Sequence, residues 1–251
     1  MNRVTKLLDQ LPEMLRRDAA GEPPLVAPDD PLQYARFVVP GIPATPWHDA
    51  AALPWTSAFE AKHAELRAEL DAFLAQQDVT FRNYVGPILG ERADAGEWHV
   101  LYLDYRGHRW DEHTRHFPKL MALVDTIPRR SGTVFVSRLT PGTHIPKHCG
   151  GTNTQLTCHF GLVVPDGVEM RVARETRRQA EGRCVVFDDS FEHEVWNHAA
   201  TPRYNVFTQF WHPDLSDEEI AGIQQIEQHG QIQHVIERYR EGASALAHVR
   251  N

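Results

Sequence analysis

The 251-residue chain is short of cysteine, has no long apolar run and carries no excess of positive charge. Its three cysteines, Cys149, Cys158 and Cys184, form an odd and sparse set. They exclude a disulfide framework and predict a reducing, cytoplasmic setting. No stretch approaches the roughly 18 apolar residues that a membrane-spanning helix needs. The N-terminus has neither an apolar segment nor a small-residue cleavage site, so no secretory signal is expected. A formal net charge of −8 argues against sequence-independent nucleic-acid binding, which depends on a cationic surface that releases counterions. Small molecules or peptides remain as expected partners, and nothing in the pattern indicates an oligomeric state.

What is present is a globular composition, with 41% hydrophobic and 24% charged residues. The length suits one domain. Residues 3–17 place Val4, Leu7, Leu8, Leu11, Met14 and Leu15 at helical spacing, and 19–33 then reads as a loop rich in Ala, Pro, Gly and Asp. A second helix is predicted over 57–77, with Ser57 as its N-cap, and a third over 113–126, interrupted by Pro118. From 131 to 211 the character changes. Runs rich in Val, Phe and Thr at 132–139, 155–164, 168–173, 184–187, 192–198 and 203–211 alternate with turn signals such as Pro141-Gly142 and Pro165-Asp166-Gly167. Many short strands with regular turns predict a mainly β fold with flanking helices, as an antiparallel barrel or double-sheet jelly roll. Ser216-Asp217-Glu218-Glu219 is a capping box opening a C-terminal helix, which Gly230 is expected to break. The expected organisation is a single domain over 1–251. It has a mainly helical N-terminal layer over 1–130, a chemistry-bearing β core over 131–213 and a helical tail over 214–251.

Fifteen histidines are too many for any one to identify a ligand by itself. His148 and His193 nevertheless each sit beside a turn at the mouth of a strand, and a jelly roll brings such remote strands face to face. Neutral imidazoles suit iron, zinc or copper. A non-haem iron site normally adds a carboxylate two residues after the first histidine, and here that residue is Gly150. Strand parity puts Arg203, Asn205, Phe207 and Gln209 on one face, Gln155, Thr157 and His159 on another, and Ser137 with Thr133 and Phe135 on a third. If those faces point inward, Arg203, Ser137 and His159 line a cavity, and Arg203 is shaped to grip a carboxylate. The alternative is an Arg203 that follows a turn and points to solvent. Arg138 has the wrong parity for the cavity. Lys147, Arg138 and Arg171 are candidates to meet a substrate carboxylate or to be solvated surface charges. His144, Asn153 and Asn205 are either orienting groups or structural hydrogen-bonders. Cys149 is either a further donor or a small buried residue.

Pro141-Gly142-Thr143-His144, His148, Gly150, Thr152-Asn153 and His159-Phe160-Gly161-Leu162 together resemble the aspartyl/asparaginyl β-hydroxylase family. So do Glu175-Thr176-Arg177, Glu181-Gly182 and the run Phe187-Asp188-Asp189-Ser190-Phe191-Glu192-His193-Glu194-Val195-Trp196, followed by Arg203 and Trp211-His212-Pro213. The resemblance implies a double-stranded β-helix (a cupin-like jelly roll), iron(II), and 2-oxoglutarate as co-substrate. It also implies a metal held by two histidines without a carboxylate, which matches Gly150. By position it makes His148 and His193 the ligands, Arg203 the partner of the distal carboxylate of 2-oxoglutarate and Ser137 its hydroxyl partner. His159 falls near the metal-binding end of the co-substrate. The chain departs from the family pattern at Thr157, where an arginine is usual, and at Pro146-Lys147-His148, where Pro-His precedes the ligand.

The expected activity is oxidation of an unactivated C–H bond of an amino acid, short peptide or related small molecule, with oxygen as oxidant. Three alternatives stand at this point. A halogenase would use the position without a carboxylate for chloride. A non-catalytic jelly-roll binding or sensing module would explain Thr157. A zinc hydrolase would need a third protein ligand.

Overall fold

The computed structural model describes residues 3–20, 22–23, 25–35, 37–76, 81–83 and 93–227. In chain order its elements are α1 (Arg3–Ala20), β1 (Trp47–His48), α2 (Pro54–Ala61), α3 (His63–Leu74), β2 (Arg82–Asn83), β3 (Trp98–Tyr105), β4 (His108–Arg109), α4 (Asp111–Thr114) and α5 (Pro118–Val124). There follow β5 (Arg130–Leu139), β6 (His144–His148), β7 (Gln155–Val163), β8 (Val168–Val172), β9 (Glu175–Arg178), β10 (Cys184–Phe187), β11 (His193–Asn197), β12 (Arg203–Trp211) and α6 (Asp217–Glu227).

The strands form two antiparallel sheets. The larger has eight strands in the order β1-β10-β7-β12-β5-β3-β2, with β4 added to β3; the smaller runs β6-β11-β8-β9. This is the expected jelly roll. Alternation along the large sheet divides its two faces. Leu156, Cys158, Phe160 and Leu162 of β7, Tyr204, Val206 and Phe210 of β12, and Val134 and Val136 of β5 pack outward. They meet Trp55, Phe59, Leu66, Leu70 and Phe73 of α2 and α3, and Phe117, Leu120, Met121 and Val124 around α5. On the inner face Leu139 and Phe187 meet Ile145, Met170, Val172 and Val195 of the small sheet, closing one part of the sandwich with apolar contact. The rest of the inner face sets the polar residues Ser137, His159, Arg203 and Asn205 among Phe135 and Phe207, and the site lies there.

Several local expectations are corrected. The layer over 1–130 is not made of helices alone, because β3 is an eight-residue strand lying between β5 and β2 in the large sheet. Its last six residues are buried on both faces, so the alternation that marks a strand is missing from Trp98–Tyr105. Strand β6 holds Pro146, which an edge strand tolerates because its N–H side needs no ladder partner. The helix expected over 57–77 is two helices that start at Pro54. Proline suits that first turn, and Ser57 does not cap it but bonds back to the Pro54 carbonyl at 2.7 Å. Pro118 likewise opens α5 rather than interrupting a longer helix. The capping box holds: Glu219 N–H donates to Ser216 Oγ at 3.2 Å and Ser216 N–H to Glu219 Oε2 at 2.9 Å. Gly230 and the rest of the tail beyond 227 lie outside the described residues. Among those described, no helix is long and apolar enough to cross a membrane.

One N-terminal segment braces the loops next to both histidines. Leu32 O accepts from Glu192 N–H at 2.7 Å, Tyr34 N–H donates to Ser190 O at 2.9 Å, and Phe37 N–H donates to Gly151 O at 3.0 Å. Asn153, buried, closes a two-way amide pair with the backbone of Val39, at 2.9 Å and 3.1 Å. It is therefore a structural hydrogen-bonder. Asn153→Ala strips both partners from a buried peptide group, and a loss of about 2–4 kcal/mol is expected in denaturant unfolding.

Candidate metal centre

Strands β6 and β11 are neighbours in the small sheet, and their register places His193 directly opposite His148. The two rings lie 4.0 Å apart between centroids. Each ring is oriented by a backbone carbonyl two residues earlier: His148 Nδ1 meets Pro146 O at 2.7 Å and His193 Nδ1 meets Phe191 O at 2.8 Å. A carbonyl only accepts, so Nδ1 carries the proton and the lone pair is on Nε2 in both rings. Burial, then the neighbouring His148, pushes the His193 pKa well below the usual histidine range, which keeps the ring neutral. Two neutral imidazoles with matched tautomers suit iron(II), as they do other first-row metals, so the residues present fit that metal. Among the described residues no cluster of three or more His, Cys, Asp or Glu is gathered around a common point.

Arg203 points inward and not to solvent. Among the described residues it is the largest fully buried side chain, at 1% exposure. Its Nη1 donates to Ser137 Oγ at 3.2 Å, and its Nε has no hydrogen-bond partner. Burial without a counter-charge lowers its pKa to about 9. Such a guanidinium needs an anion. Ser137 Oγ also accepts from Trp98 Nε1 at 3.0 Å. With both of its acceptor positions engaged, the hydroxyl has its O–H left to donate, and Ser137 and Arg203 together present donors suited to a carboxylate.

His159 shares the inward face of the large sheet. It stands opposite Phe207 in the β7–β12 register and is wedged edge-on against Phe187 at 5.1 Å, which in turn lies 5.5 Å from His193. Burial, then Arg203, drives its pKa well below the usual value, so it is a neutral ring. All five residues singled out from the sequence therefore face the space between the sheets: His148 and His193 from the small sheet, Ser137, His159 and Arg203 from the large one.

Sequence reasoning missed three others. Trp98 lies on the unanticipated strand β3. Gln179, just beyond β9, reaches His159 and Asn205 from the opposite sheet. Asp189 lies in the loop between β10 and β11, where its Oδ2 accepts from Thr157 Oγ1 at 2.9 Å and Gln209 Nε2 at 3.2 Å. Burial raises the Asp189 pKa to about 6 against those two stabilising bonds, and no cation faces it among the described residues. A Cβ on Gly150 would press on the Asp189 carboxylate and force that side chain to shift from its bonds to Thr157 and Gln209, and Asp189 is the carboxylate nearest that position. The Asp-Asp-Ser run was the available signal, but only spatial pairing shows which aspartate turns toward Gly150.

Other candidates lie elsewhere. Arg171 is on the outward face of β8 and is bound by Glu192, Glu194 and the Ala173 carbonyl. His144 stacks on Trp196 at 5.1 Å and meets Asp94 and Glu194. Lys147 is exposed beside Glu192, and Arg138 lies on the helix-packed face, as its parity predicts. Cys149 is half-buried, and burial raises its thiol to about 11.

Residues 60–213 match the model of the aspartyl/asparaginyl beta-hydroxylase family. The chain belongs to that family. It is 32% identical to the human aspartyl/asparaginyl beta-hydroxylase over 192 residues, which are 74% of this chain and 25% of that protein. It is also 32% identical to the ornithine lipid ester-linked acyl 2-hydroxylase of Rhizobium tropici over 187 residues, or 72% of this chain and 64% of that protein. The chain thus spans about a quarter of one relative and under two thirds of the other. Among solved structures, a Pseudomonas putida prolyl-4-hydroxylase is similar over 67% of this chain and 93% of that one, at 16% identity and a TM-score of 0.40.

Within this family member, Gly150 yields a direct prediction. Gly150→Asp places a second carboxylate against Asp189. It is expected to lower stability by about 1–3 kcal/mol through overpacking alone, and to weaken iron(II) binding instead of completing a three-ligand site. Denaturant unfolding and an iron(II) titration of the same variant read both effects.

Proposed function

We propose that the chain is an iron(II)- and 2-oxoglutarate-dependent oxygenase that hydroxylates an unactivated C–H bond of an amino acid, short peptide or related small molecule. The observation that carries the reading is Arg203: a buried guanidinium, bonded only to Ser137 among the described residues, in the same inter-sheet space as two matched imidazoles. Iron(II) bound with 2-oxoglutarate supplies the oxidising power when oxygen is added, and the co-substrate leaves as succinate and carbon dioxide.

The chain's own residues bind, orient and exclude. His148 and His193 would hold the metal through Nε2, each fixed in rotation by its carbonyl partner. Arg203 and Ser137 would hold the distal carboxylate, a charge-assisted contact made in a place with little water. His159, neutral, would face the opposite end of the co-substrate without adding a second cation. Phe135 and Phe207, stacked at 4.2 Å, and Phe187 make the walls apolar and so restrict water around the reacting carbon. Asp189 beside Gly150 favours hydroxylation over halogenation, since a chloride ion there would face a carboxylate.

Relatives named for an amino-acid side chain and for a lipid acyl chain show that the family does not dictate substrate class. Anaerobic titration with iron(II) and 2-oxoglutarate should develop the coloured metal-to-ligand band of the chelate. A screen of amino acids and peptides should then couple succinate release to oxygen uptake. Absence of the coloured chelate at saturating iron(II) and 2-oxoglutarate would refute the reading.

A further inference from the structure

The Gln179 amide is clamped from both ends. Its Oε1 accepts from Asn205 Nδ2 at 2.9 Å, and its Nε2 approaches Met170 Sδ at 3.7 Å and His159 Nδ1 at 3.4 Å. A thioether has no hydrogen to give, so the Met170 side takes the amide N–H, which leaves the amide oxygen to accept from Asn205 Nδ2. Met170 therefore selects one of the two amide orientations, and Asn205 completes it. In that orientation Gln179 presents N–H to His159 Nδ1, which must then be the acceptor nitrogen, and the single ring proton resides on Nε2. The His159 ring is neutral and is wedged between Phe187 at 5.1 Å and Phe207 at 5.5 Å, which hinders exchange of its two nitrogens by rotation. The Gln179 backbone is itself pinned, its N–H donating to Val168 O at 3.0 Å.

We infer that Gln179, held by Asn205 and Met170, is a positioning residue that fixes His159 as the Nε2–H tautomer and so makes it the uncharged hydrogen-bond donor for the metal-proximal carboxylate of 2-oxoglutarate. This rests on the function proposed above. It accounts for how an anion is met at that end of the site when Thr157 supplies no charge: the Thr157 hydroxyl is committed to Asp189, and the donor comes from a ring whose proton is steered by an amide on the opposite sheet. The opposite tautomer would aim a lone pair at a carboxylate.

The test is histidine-selective 15N NMR on the full chain, alone and loaded with diamagnetic zinc(II), combined with 2-oxoglutarate titration of the anaerobic iron(II) form. In the unmutated chain His159 is expected as Nε2–H; an Nδ1–H signal overturns the inference. Gln179→Glu replaces the donating N–H by an accepting oxygen and should reverse the tautomer. It should also weaken 2-oxoglutarate binding by about 10- to 100-fold, the range of a hydrogen bond to a charged group. Asn205→Asp should reverse the tautomer by turning the Gln179 amide around, without touching His159. If either variant, folded by its thermal transition, keeps the Nε2–H form, or if Gln179→Glu binds 2-oxoglutarate undiminished, the inference is overturned. Failure of the underlying function is seen separately, as no 2-oxoglutarate binding by the unmutated iron(II) form.

Discussion

His193→Ala is expected to take iron(II)- and 2-oxoglutarate-dependent succinate formation below detection while leaving the fold in place. His193 lies on β11, which is paired on both sides, to β6 and to β8, so backbone hydrogen bonds hold the strand whatever side chain it carries at that position. What is lost is one of two donors. The remaining His148 supplies a single protein ligand, and a hard-to-retain divalent ion then depends on its co-substrate alone. The stability change comes from the Phe191 carbonyl, which loses a buried partner at a cost of about 1–3 kcal/mol. Circular dichroism and the thermal transition check the fold, and an oxygen electrode with succinate analysis checks the reaction. Unchanged succinate release by His193→Ala would remove the metal assignment altogether.

Arg203→Met should separate stability from binding, with opposite signs. An isolated buried guanidinium, whose burial lowers its pKa to about 9, weakens the ligand-free protein. Replacing such a charge by an apolar side chain of similar length is often neutral or stabilising by about 1–4 kcal/mol. Loss of the carboxylate contact, by contrast, is expected to weaken 2-oxoglutarate binding by about 100- to 1,000-fold, in keeping with truncation of one partner of a desolvated charge pair. The same residue thus opposes folding and supports ligand binding. Differential scanning calorimetry with and without 2-oxoglutarate reads both: the variant should melt no lower than the unmutated chain without ligand, and should lose the ligand-induced rise. A variant that melts much lower and still shows that rise would mean that Arg203 serves the core and not an anion. Arg203→Ala should show the same binding loss with an added cavity cost.

The strands that position the site were legible where one face meets helices and the other meets the cavity. In β7 and β12 the apolar residues Phe160, Leu162, Val206 and Phe210 alternate with His159, Asn205 and Gln209, and parity grouped the polar residues on shared faces, while folding decided that Arg203, His159 and Ser137 point inward. Strand β3 was illegible because Val100 to Tyr105 is buried on both sides, which erases the period of two. Strand β6 was hidden by Pro146, whose meaning depends on whether the strand is at an edge. Within the site, the resemblance to the family singled out His148 and His193 among fifteen histidines. The matched tautomers, the Trp98 bond to Ser137 and the Gln179 contact with His159 could not be read, since each joins segments whose register is set only on folding.

The order of residue types along the chain determined the mainly β class, most strands of the core and the sharing of strand faces, which follow from local alternation, and its motifs carried the pair of imidazoles and the arginine. Tertiary structure alone decided which ring nitrogen bears the proton, that Asp189 packs against Gly150, and that Arg203 is desolvated. The physical reason is that protonation, tautomer and steric need are set by burial and by hydrogen-bond partners remote in the chain, and those partners come within reach only when the two sheets close on one another.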